Sequence, residues 1–421
     1  MLHPELHKHL KHNLTVNILD GGFFGLAIGF ASFSTILPLF VSSMTDSAIL
    51  IGLIPALHSA SWQIPQLFTA NWVARQKRFK PMVLWLTTQE RVPFLGLAVV
   101  AWMLPSLGNR LALTLTFLLI AWQSLGAGFT ANAWQSLVAK IIPGDRRGTF
   151  FGAQAAAANL LASVSAILAG LILEGVVGSR SYALCFLLCS FFMIFSWVSL
   201  ALTREPEKPV DEIAAAPISF WNNLGAILRR DRNFRWYLVA RMLAQLGVMG
   251  FAFYAVYAVN HHGMSKAEAG VMTSVLFGTQ IIANPLMGWL GDRWSHLKLL
   301  EVGALAAMGS ALLAWWAPSA GWFYPVVILA GIASVAIWTI GMAITLEFGS
   351  EAERPTYIGM ANTLAAPANI LAPFLGGWLA DAAGYPATFL ASAVASLVTL
   401  AAFHFLIQDP RKLKARHPSS I

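Results

Sequence analysis

Twelve long apolar stretches, each with enough residues to cross a lipid bilayer, fill almost the whole chain. A helix needs about 20 apolar residues to cross the hydrocarbon core, and each stretch reaches that length. Backbone groups in lipid must find their hydrogen bonds within the protein, so these stretches are predicted to be helices. The alternating ten-residue segments of a membrane β-barrel do not appear. The predicted spans are residues 14–41, 47–74, 82–104, 110–136, 150–174, 181–202, 233–259, 266–291, 297–317, 321–346, 356–382 and 386–408.

The composition favours lipid as the solvent of most of the chain. Charged residues make up 11% of the 421 residues, and the apolar set makes up 57%. A soluble domain has about 25% charged residues. The sequence therefore predicts an all-α polytopic membrane protein.

The positive charges lie mainly on one side of the predicted membrane. The net charge of +8 alone would suit a nucleic-acid partner, but 22 of the 27 Lys and Arg residues fall in the segments on the side of the N-terminus. The opposite loops hold only Arg110, Arg180 and Lys266. By the positive-inside rule, both termini face the cytoplasm. We therefore expect no nucleic-acid partner, and a multi-pass protein in the plasma membrane, the inner membrane of a bacterial cell.

One charged segment, residues 203–232, divides the chain. It separates a predicted six-helix bundle at 1–202 from a second at 233–408, and residues 409–421 form a predicted cytoplasmic tail. Within the linker, apolar residues recur at helical spacing before Arg229 and Arg230. This pattern predicts an amphipathic helix that lies either on the inner leaflet or on the protein's own cytoplasmic face.

The two halves carry the same small motifs at a fixed offset of 207 residues. Four matches in one frame at equivalent positions of the spans indicate an internal duplication. Parallel repeats about an axis along the membrane normal are typical of one transporter architecture. The matched pairs are Thr149 with Thr356, Gly152 with Gly359, Gly170 with Gly377, and Glu174 with Asp381.

The loop between spans eight and nine reads Gly-Trp-Leu-Gly-Asp-Arg from Gly288 to Arg293. It resembles the loop signature of the major facilitator superfamily, and with twelve spans, inside termini and a long middle loop the resemblance covers nearly the whole chain. It implies two pseudo-symmetric six-helix bundles. Gly288 and Gly291 belong to this motif, and we expect Gly288 to let helices approach closely. The first half departs from the signature, because Ala74 stands where the family has Asp.

Asp292 in this motif is a candidate latch of the cytoplasmic gate. Its carboxylate is expected to meet the positive N-terminal end of span eleven, which starts near Arg354. The alternative is a simple tight turn on the inner side.

Ionisable residues within the spans are the clearest functional candidates, because charge is costly in lipid. Asp20 and Arg241 lie at matching depth in spans one and seven, which the resemblance places across a central cavity from each other. They either pair across the halves or pair separately within each half. Glu90 and Arg91 lie in span three and point about 100° apart, so they are not expected to pair with each other. All four are candidate coupling or gating charges, with Glu90 a candidate proton carrier.

Polar residues in the spans are candidates for a substrate cavity. His58, Trp62 and Gln66 recur every four residues on one stripe of span two. Such a stripe suits an amphipathic ligand, but it equally suits hydrogen bonding between helices. Further candidates in spans four and eight are Asn132, Gln280 and Asn284.

The spacing of glycines in span one has a structural interpretation. Gly21, Gly25 and Gly29 recur every four residues and predict a seam of close helix packing.

The sequence lacks motifs for phosphate binding, for metal binding and for nucleophilic catalysis. We therefore expect no enzyme, no cofactor and no bound metal. The favoured function is secondary transport of a small molecule by alternating access, with export of an amphipathic or apolar compound preferred and protons as a candidate coupling ion. The alternatives are an importer of a polar metabolite and, in another class, a membrane-embedded sensor or enzyme. We expect a monomer.

The charge distribution predicts the topology. Reporters fused after residue 421 or inserted within 203–215 should report cytoplasm, and a reporter within 261–265 should report the outside, because Lys and Arg are retained on the inner side. Alkaline phosphatase and fluorescent-protein fusions measure this. A C-terminal reporter on the outside would contradict the twelve-span topology.

Overall fold

The computed structural model describes residues 4–74, 76–143, 147–206, 225, 227–349 and 354–416, and regular structure in these ranges is entirely helical. Short 3-10 or π segments join some of the helices. The α-helices are α1 (Pro4–Phe30), α2 (Ile36–Ser42), α3 (Ala48–Ala74), α4 (Lys80–Ile141), α5 (Arg147–Gly175), α6 (Ser179–Ala201), α7 (Arg232–Gly247), α8 (Tyr254–His262), α9 (Lys266–Arg293), α10 (His296–Trp316), α11 (Phe323–Val335), α12 (Gly341–Thr345), α13 (Arg354–Ala383), α14 (Tyr385–Leu406) and α15 (Pro410–Arg416).

Ten helical segments of the described part are long and apolar enough to cross a membrane. One of these, α4, is 62 residues long and contains the third and fourth predicted spans. It breaks at Gly108, whose φ of 72° and ψ of 158° are not helical. Such a positive φ costs glycine nothing, because glycine has no Cβ. Helix α3 coincides with the second predicted span, so every predicted span corresponds to helix in the structure.

Three predicted spans are interrupted. The first does not run to residue 41, because α1 ends at Phe30 and α2 begins at Ile36. The seventh contains a 3-10 turn over Met249–Phe253, and the tenth contains a π turn over Ala336–Ile340. At the 3-10 turn, the backbone N–H of Gly250 donates to Ser392 Oγ at 3.1 Å. A side chain of a neighbouring helix thus supplies an acceptor where the regular ladder is interrupted.

The polar start of the chain is helical, because α1 begins at Pro4, before the first predicted span. The last turn of this polar segment is fastened to the end of α6. Asn13 Nδ2 donates to the carbonyl of Arg204 at 2.9 Å, and the His12 ring lies 2.8 Å from the carbonyl of Leu202.

The chain sorts into two compact units, and two helices are divided between them. The N-terminal unit comprises residues 1–46, 57–217 and 264–278, and the C-terminal unit comprises residues 47–56, 218–263 and 279–421. The first part of α3 therefore belongs to the C-terminal unit, and the first part of α9 belongs to the N-terminal unit. The predicted amphipathic helix of the linker lies largely outside the described residues.

Close packing of α1 on α5 organises the N-terminal unit. A Cβ placed on Gly25 would meet backbone atoms of Ala158, and one placed on Gly29 would lie 2.5 Å from the carbonyl oxygen of Ala162. The predicted glycine seam is therefore confirmed. Because these neighbours are backbone atoms, they cannot move aside as a flexible side chain would.

An aromatic cluster fills the core of the C-terminal unit. Phe234 lies 4.5 Å from Tyr357 and 5.1 Å from Phe348, measured between ring centroids. The hydroxyl of Tyr237, in the same cluster, donates to the carbonyl of Gly341 at 2.7 Å. These contacts join α7 and α13 to the chain around α12.

The glycine seam generates a stability prediction. Gly25→Ala should destabilise the protein by about 1–3 kcal/mol, because the added methyl group has no room against the backbone of α5. Gly278→Ala is the matched control, since no atom of the described residues lies within 4 Å of its Cβ position. Thermal unfolding in detergent measures both. Equal stability of Gly25→Ala and the wild type would contradict the tight seam.

Candidate functional site in the N-terminal unit

A cavity of about 460 Å³ lies within the N-terminal unit. Side chains from α1, α3, α4 and α5 form most of its wall. The lining combines three ionisable side chains, Asp20, Glu90 and Arg91, with four aromatic ones, Phe24, Trp62, Trp134 and Phe151. Its size is within the range of small-molecule sites, and the mixture of aromatic walls and few polar groups is typical of them.

Arg91 is the centre of the charged cluster. Its NH2 lies 3.3 Å from Asp20 Oδ1, and its NH1 lies 3.7 Å from Glu90 Oε2. Both members of the Asp20–Arg91 pair are buried, with 6% and 8% exposure. Buried charges persist only when they are paired and hydrogen-bonded, so the contact ties α1 to α4.

Ser196 of α6 completes the Asp20–Arg91 pair. Its hydroxyl donates to Asp20 Oδ1 at 2.6 Å and accepts from Arg91 NH2 at 2.7 Å. The guanidinium carbon of Arg91 also lies 5.5 Å from the centroid of the Phe24 ring, which suits a cation–π contact. Three helices and one aromatic face thus hold the guanidinium in place.

The expectation that Glu90 and Arg91 do not pair is wrong. Arg91 folds back by one helical turn and donates to both the carbonyl and the hydroxyl of Thr87. The same Thr87 hydroxyl lies 3.3 Å from Glu90 Oε2. Side chains three and four residues apart share one face, so the long Arg side chain reaches Glu90 through the turn that begins at Thr87.

The ionisable lining of the cavity contains two carboxylates and one cation. Arg91 can neutralise Asp20 or Glu90 but not both fully. The second carboxylate needs a proton, a cationic group or water to remain in an environment of low polarity. The site is therefore suited to take up a proton or an organic cation.

Of the six predicted cavity residues, Trp62 lines the cavity. His58 lies 2.8 Å from Ser124 Oγ and packs on the ring of Phe33 at 4.3 Å. Asn132 Nδ2 donates to the carbonyl of Gln66 at 2.7 Å and to Thr69 Oγ1 at 2.8 Å. The contacts of Gln66, His58 and Asn132 are those of helix packing, and a role in substrate binding stays a prediction.

The remaining predicted site residues in the spans lie in the C-terminal unit. Arg241 donates to Thr345 Oγ1 at 3.4 Å and to Asn362 Oδ1 at 3.3 Å. Asn284 donates to the carbonyl of Gln280 at 2.8 Å and accepts from Thr339 at 2.7 Å. Asp20 and Arg241 therefore each have partners within their own unit, which is the second of the two arrangements that the sequence left open.

The Gly288–Arg293 motif forms the last turns of α9 and differs from expectation at Gly288. Among the described residues, no atom lies within 4 Å of a Cβ placed there, so this glycine marks no close approach of helices. The close approach occurs instead at Gly291, where a Cβ would lie 2.5 Å from the ring of His296. The guanidinium of Arg293 lies 4.2 Å from the centroid of the Trp289 ring.

The predicted latch residue Asp292 is largely exposed, with 79% of its side chain accessible. Its carboxylate lies 3.8 Å from Arg411 of α15 and 3.9 Å from His296. The side chain of Arg354, where α13 begins, lies outside the described residues. The latch between Asp292 and the start of α13 stays a prediction.

Sequence reasoning missed Ser196, Thr87 and three of the four aromatic residues of the lining, which are Phe24, Trp134 and Phe151. Ser196 lies in the apolar run of α6, and only the rotation of that helix shows that it faces Asp20. A usable signal existed for Thr87, because it precedes Arg91 by four residues on the same helical face.

Comparisons with known proteins agree with this architecture. Residues 237–420 match the family model described as Major Facilitator Superfamily. An MFS-type transporter, opdF of Penicillium oxalicum, is 24% identical over 259 residues, which are 60% of this chain and 58% of that protein. A probable vesicular acetylcholine transporter of Danio rerio is 30% identical over 140 residues, 32% of this chain and 28% of its own. The chain thus spans less than two thirds of the length of these relatives.

Solved structures show the same fold over nearly the whole chain. The nucleoside transporter NupG aligns with a TM-score of 0.69 and 13% identity, covering 94% of this chain and 99% of its own. A D-xylose-proton symporter aligns with a TM-score of 0.70 and 15% identity, covering 94% and 98%.

The helices and the alignments define a multi-pass helical membrane protein with the fold of these two transporters. The C-terminal part of the chain, residues 237–420, is similar to the major facilitator superfamily.

The charged cluster generates a prediction about energetic coupling. Arg91→Gln should destabilise the protein by about 3–5 kcal/mol, because it leaves two buried carboxylates without a cation. Asp20→Asn should cost less, since Arg91 retains Glu90. A double-mutant cycle should show coupling between Asp20 and Arg91, whereas Asp20→Asn and Arg241→Gln should be additive.

Thermal unfolding of the purified variants measures this cycle. Coupling of Asp20 with Arg241, together with independence of Asp20 and Arg91, would support the cross-half pair instead.

Proposed function

We propose that the protein is a secondary transporter that carries a small molecule by alternating access, with the cavity of the N-terminal unit as part of its substrate site. The observation that carries the proposal is the cavity itself, which places a buried cluster of three ionisable side chains beside four aromatic rings. Groups that are costly in lipid are expected where a substrate or a coupling ion binds.

The lining supports an amphipathic substrate with a cationic group. Phe24, Trp62, Trp134 and Phe151 offer apolar surface and aromatic faces, and the second carboxylate offers a partner for a cation. Export fits such a compound best, because amphipathic molecules reach the inner leaflet from the bilayer without a carrier. The named relatives include transporters of other chemistries, so the family alone does not select a substrate.

Protons are the proposed coupling ion. Glu90 lines the cavity and shares a single cation with Asp20. When the site is empty, a proton on one of the two carboxylates neutralises the excess negative charge of the cluster. A cationic substrate would displace that proton. Because the proton and the substrate compete for the same carboxylate, the transport of one is coupled to the transport of the other without a separate proton site.

Import of a polar metabolite is the second candidate. It is favoured by Thr87, Thr130, Gln135 and Gln154, which also line the cavity and can bind hydroxyl or amide groups. The nucleoside transporter and the xylose symporter that share the fold carry such substrates. The two candidates differ in the expected ligand, a hydrophobic cation or a neutral polar molecule.

The setting that we propose for this activity follows from the charge distribution. The protein acts as a monomer in the plasma membrane with both termini in the cytoplasm. The positive-inside rule supports the placement of both termini.

The substrate proposal predicts the result of a ligand screen. Hydrophobic cations should raise the apparent stability of the purified protein more than matched neutral or anionic compounds, by about 2.7 kcal/mol at 100 times the dissociation constant. Trp62→Ala should weaken binding by roughly 0.5–2 kcal/mol, through loss of an aromatic face. Thermal shift at two pH values measures both effects. Because protons compete with the cation for the carboxylate, cation binding should be weaker at the lower pH.

Trp85→Ala is the matched control, because Trp85 lies on α4 and is 64% exposed without lining the cavity. Stabilisation by polar neutral compounds alone would favour the import candidate. Equal effects of Trp62→Ala and Trp85→Ala on ligand binding would show that the cavity is not part of the substrate site.

A further inference from the structure

A groove of about 750 Å³ runs along the contact between α4 and α6 in the N-terminal unit. One end lies at Trp197 of α6, whose indole N–H donates to the carbonyl of Leu84 of α4 at 3.2 Å. The other end lies beside Leu95 and Leu187. From Leu187 to Trp197 the wall spans about 15 Å of helix, at 1.5 Å per residue. The groove is therefore long enough for an elongated molecule that lies along the two helices.

The wall of the groove is mainly apolar and open at the surface of the unit. Both helices are predicted membrane spans here, so the side chains of this wall meet lipid, or a molecule dissolved in lipid, rather than water. A ligand of the groove therefore comes from the membrane and has an apolar body. Five apolar side chains of the wall have 44–60% exposure, namely Val92, Leu95, Leu187, Phe191 and Ile194.

Three polar side chains of the wall use their hydrogen-bond donors within α4 and α6. Thr88 Oγ1 donates to the carbonyl of Leu84 at 2.8 Å, and Ser190 Oγ donates to the carbonyl of Phe186 at 3.0 Å. The indole N–H of Trp197 is bonded to Leu84 as well. None of these three donors is free to bind a ligand.

Arg91 is different, and its side chain lines both the groove and the cavity. Its NH1 donates to Thr87, and its NH2 bonds to Asp20 and Ser196. Its Nε is buried and has no hydrogen-bond partner among the described residues. Arg91 is only 8% exposed, so this N–H has lost water without gaining an acceptor. An unpaired buried N–H is costly, which favours a ligand that supplies the acceptor.

The charges around Arg91 determine which acceptor fits. Asp20 and Glu90 already bring two carboxylates to a single guanidinium. An anionic ligand would add a third negative charge that no cation of the cluster neutralises. A cationic group such as an ammonium offers donors and no acceptor. A neutral carbonyl oxygen supplies the acceptor without a charge.

The depth of Arg91 separates this ligand from an ordinary phospholipid. From Lys80, where α4 begins, to Arg91 is about 16 Å along the helix axis. The hydrocarbon core is about 30 Å thick, so the predicted span places the guanidinium near its middle. The ester carbonyls of phospholipids lie outside this core, near the headgroups, and do not reach it. The carbonyl compound is therefore one that dissolves in the hydrocarbon core.

We propose that the groove between α4 and α6 binds a neutral lipophilic carbonyl compound from the membrane, such as a quinone or a long-chain ketone. The carbonyl oxygen accepts from Arg91 Nε, and the apolar body lies against side chains such as Phe191 and Ile194. This site is separate from the proposed substrate cavity, although Arg91 belongs to the walls of both. The inference does not depend on the proposed transport activity.

The test uses three photoreactive probes in liposomes that contain the purified protein. The first is a long-chain methyl ketone with a diazirine at the far end of its chain. The second is the alkane of the same length with the same diazirine, and the third is the matching carboxylate. Peptide mapping by mass spectrometry measures labelling of residues 187–197. At equal, limiting concentrations the ketone should label this segment about ten-fold more than the alkane, because it alone of the two can accept from Arg91.

Two variants and a control connect this labelling to the groove. Arg91→Lys keeps a cation beside Asp20 but removes the N–H at the Nε position, so ketone labelling should fall to the level of the alkane. Val92→Trp should lower labelling by both probes, because the larger ring fills the groove. Val99→Trp is the matched control and should label as the wild type does. Val99 lies on the same helix and is 51% exposed, but it does not line the groove.

Each result supports the site or contradicts it. Equal labelling by ketone and alkane in the wild-type protein would show that the groove holds apolar chains only, and would overturn the proposal. A ketone preference that persists in Arg91→Lys, or labelling that Val92→Trp leaves unchanged, would also contradict it. Stronger labelling by the carboxylate would identify an anion instead of a neutral ligand.

The outcome does not depend on the folding of one variant. If thermal unfolding shows that Arg91→Lys does not fold, the ketone-to-alkane ratio of the wild type and the effect of Val92→Trp decide the proposal. Binding to the groove is measured without a transport assay. Failure of the proposed transport function would therefore leave these labelling results unchanged, and the two failures are distinguishable.

Discussion

Lipid provides no hydrogen-bond partners, so every polar group in the spans depends on another group of the protein. The Asp20–Arg91 pair shows the consequence most clearly. Ser196, Thr87 and Glu90 surround it, so that one guanidinium joins residues from three helices. The same requirement operates in the backbone, where Ser392 supplies an acceptor to the 3-10 turn at Gly250. The rotation of each helix about its own axis in the N-terminal unit therefore determines which charged and polar groups line the cavity.

The two halves of the internal repeat are more similar in the residues that pack their helices than in their buried charged residues. They share glycines and acidic helix caps at equivalent positions, yet their buried ionisable groups differ. The N-terminal unit holds a cation between two carboxylates, whereas Arg241 in the C-terminal unit has the neutral partners Thr345 and Asn362. A neutral partner does not gain or lose a charge at ordinary pH. The groups suited to exchanging a proton for a cation are therefore those of the N-terminal unit.

The strong polar contacts are buried beside the cavity, whereas the weak ones lie at exposed ends of helices. The ion pair beside the cavity is buried, and removing one partner is expected to cost several kcal/mol. The carboxylates Glu174 and Asp381 meet helix ends at exposed positions, where such contacts contribute roughly 0.3–1 kcal/mol. Strong contacts fix helices within a unit, and weaker contacts hold the exposed helix ends.

The sequence by itself determined the solvent, the number of spans and the internal repeat, because hydrophobic length and charge bias act locally along the chain. It also selected Asp20, Glu90, Arg91 and Arg241, since charge in a span is costly wherever the helix faces. Tertiary structure alone decided the partners, because they depend on helix rotation, which hydropathy does not encode. For that reason Arg91 is paired with Asp20 and Ser196 remained hidden in an apolar run. The close approach likewise occurs at Gly291 rather than Gly288, since only the packed neighbour His296 distinguishes the two glycines.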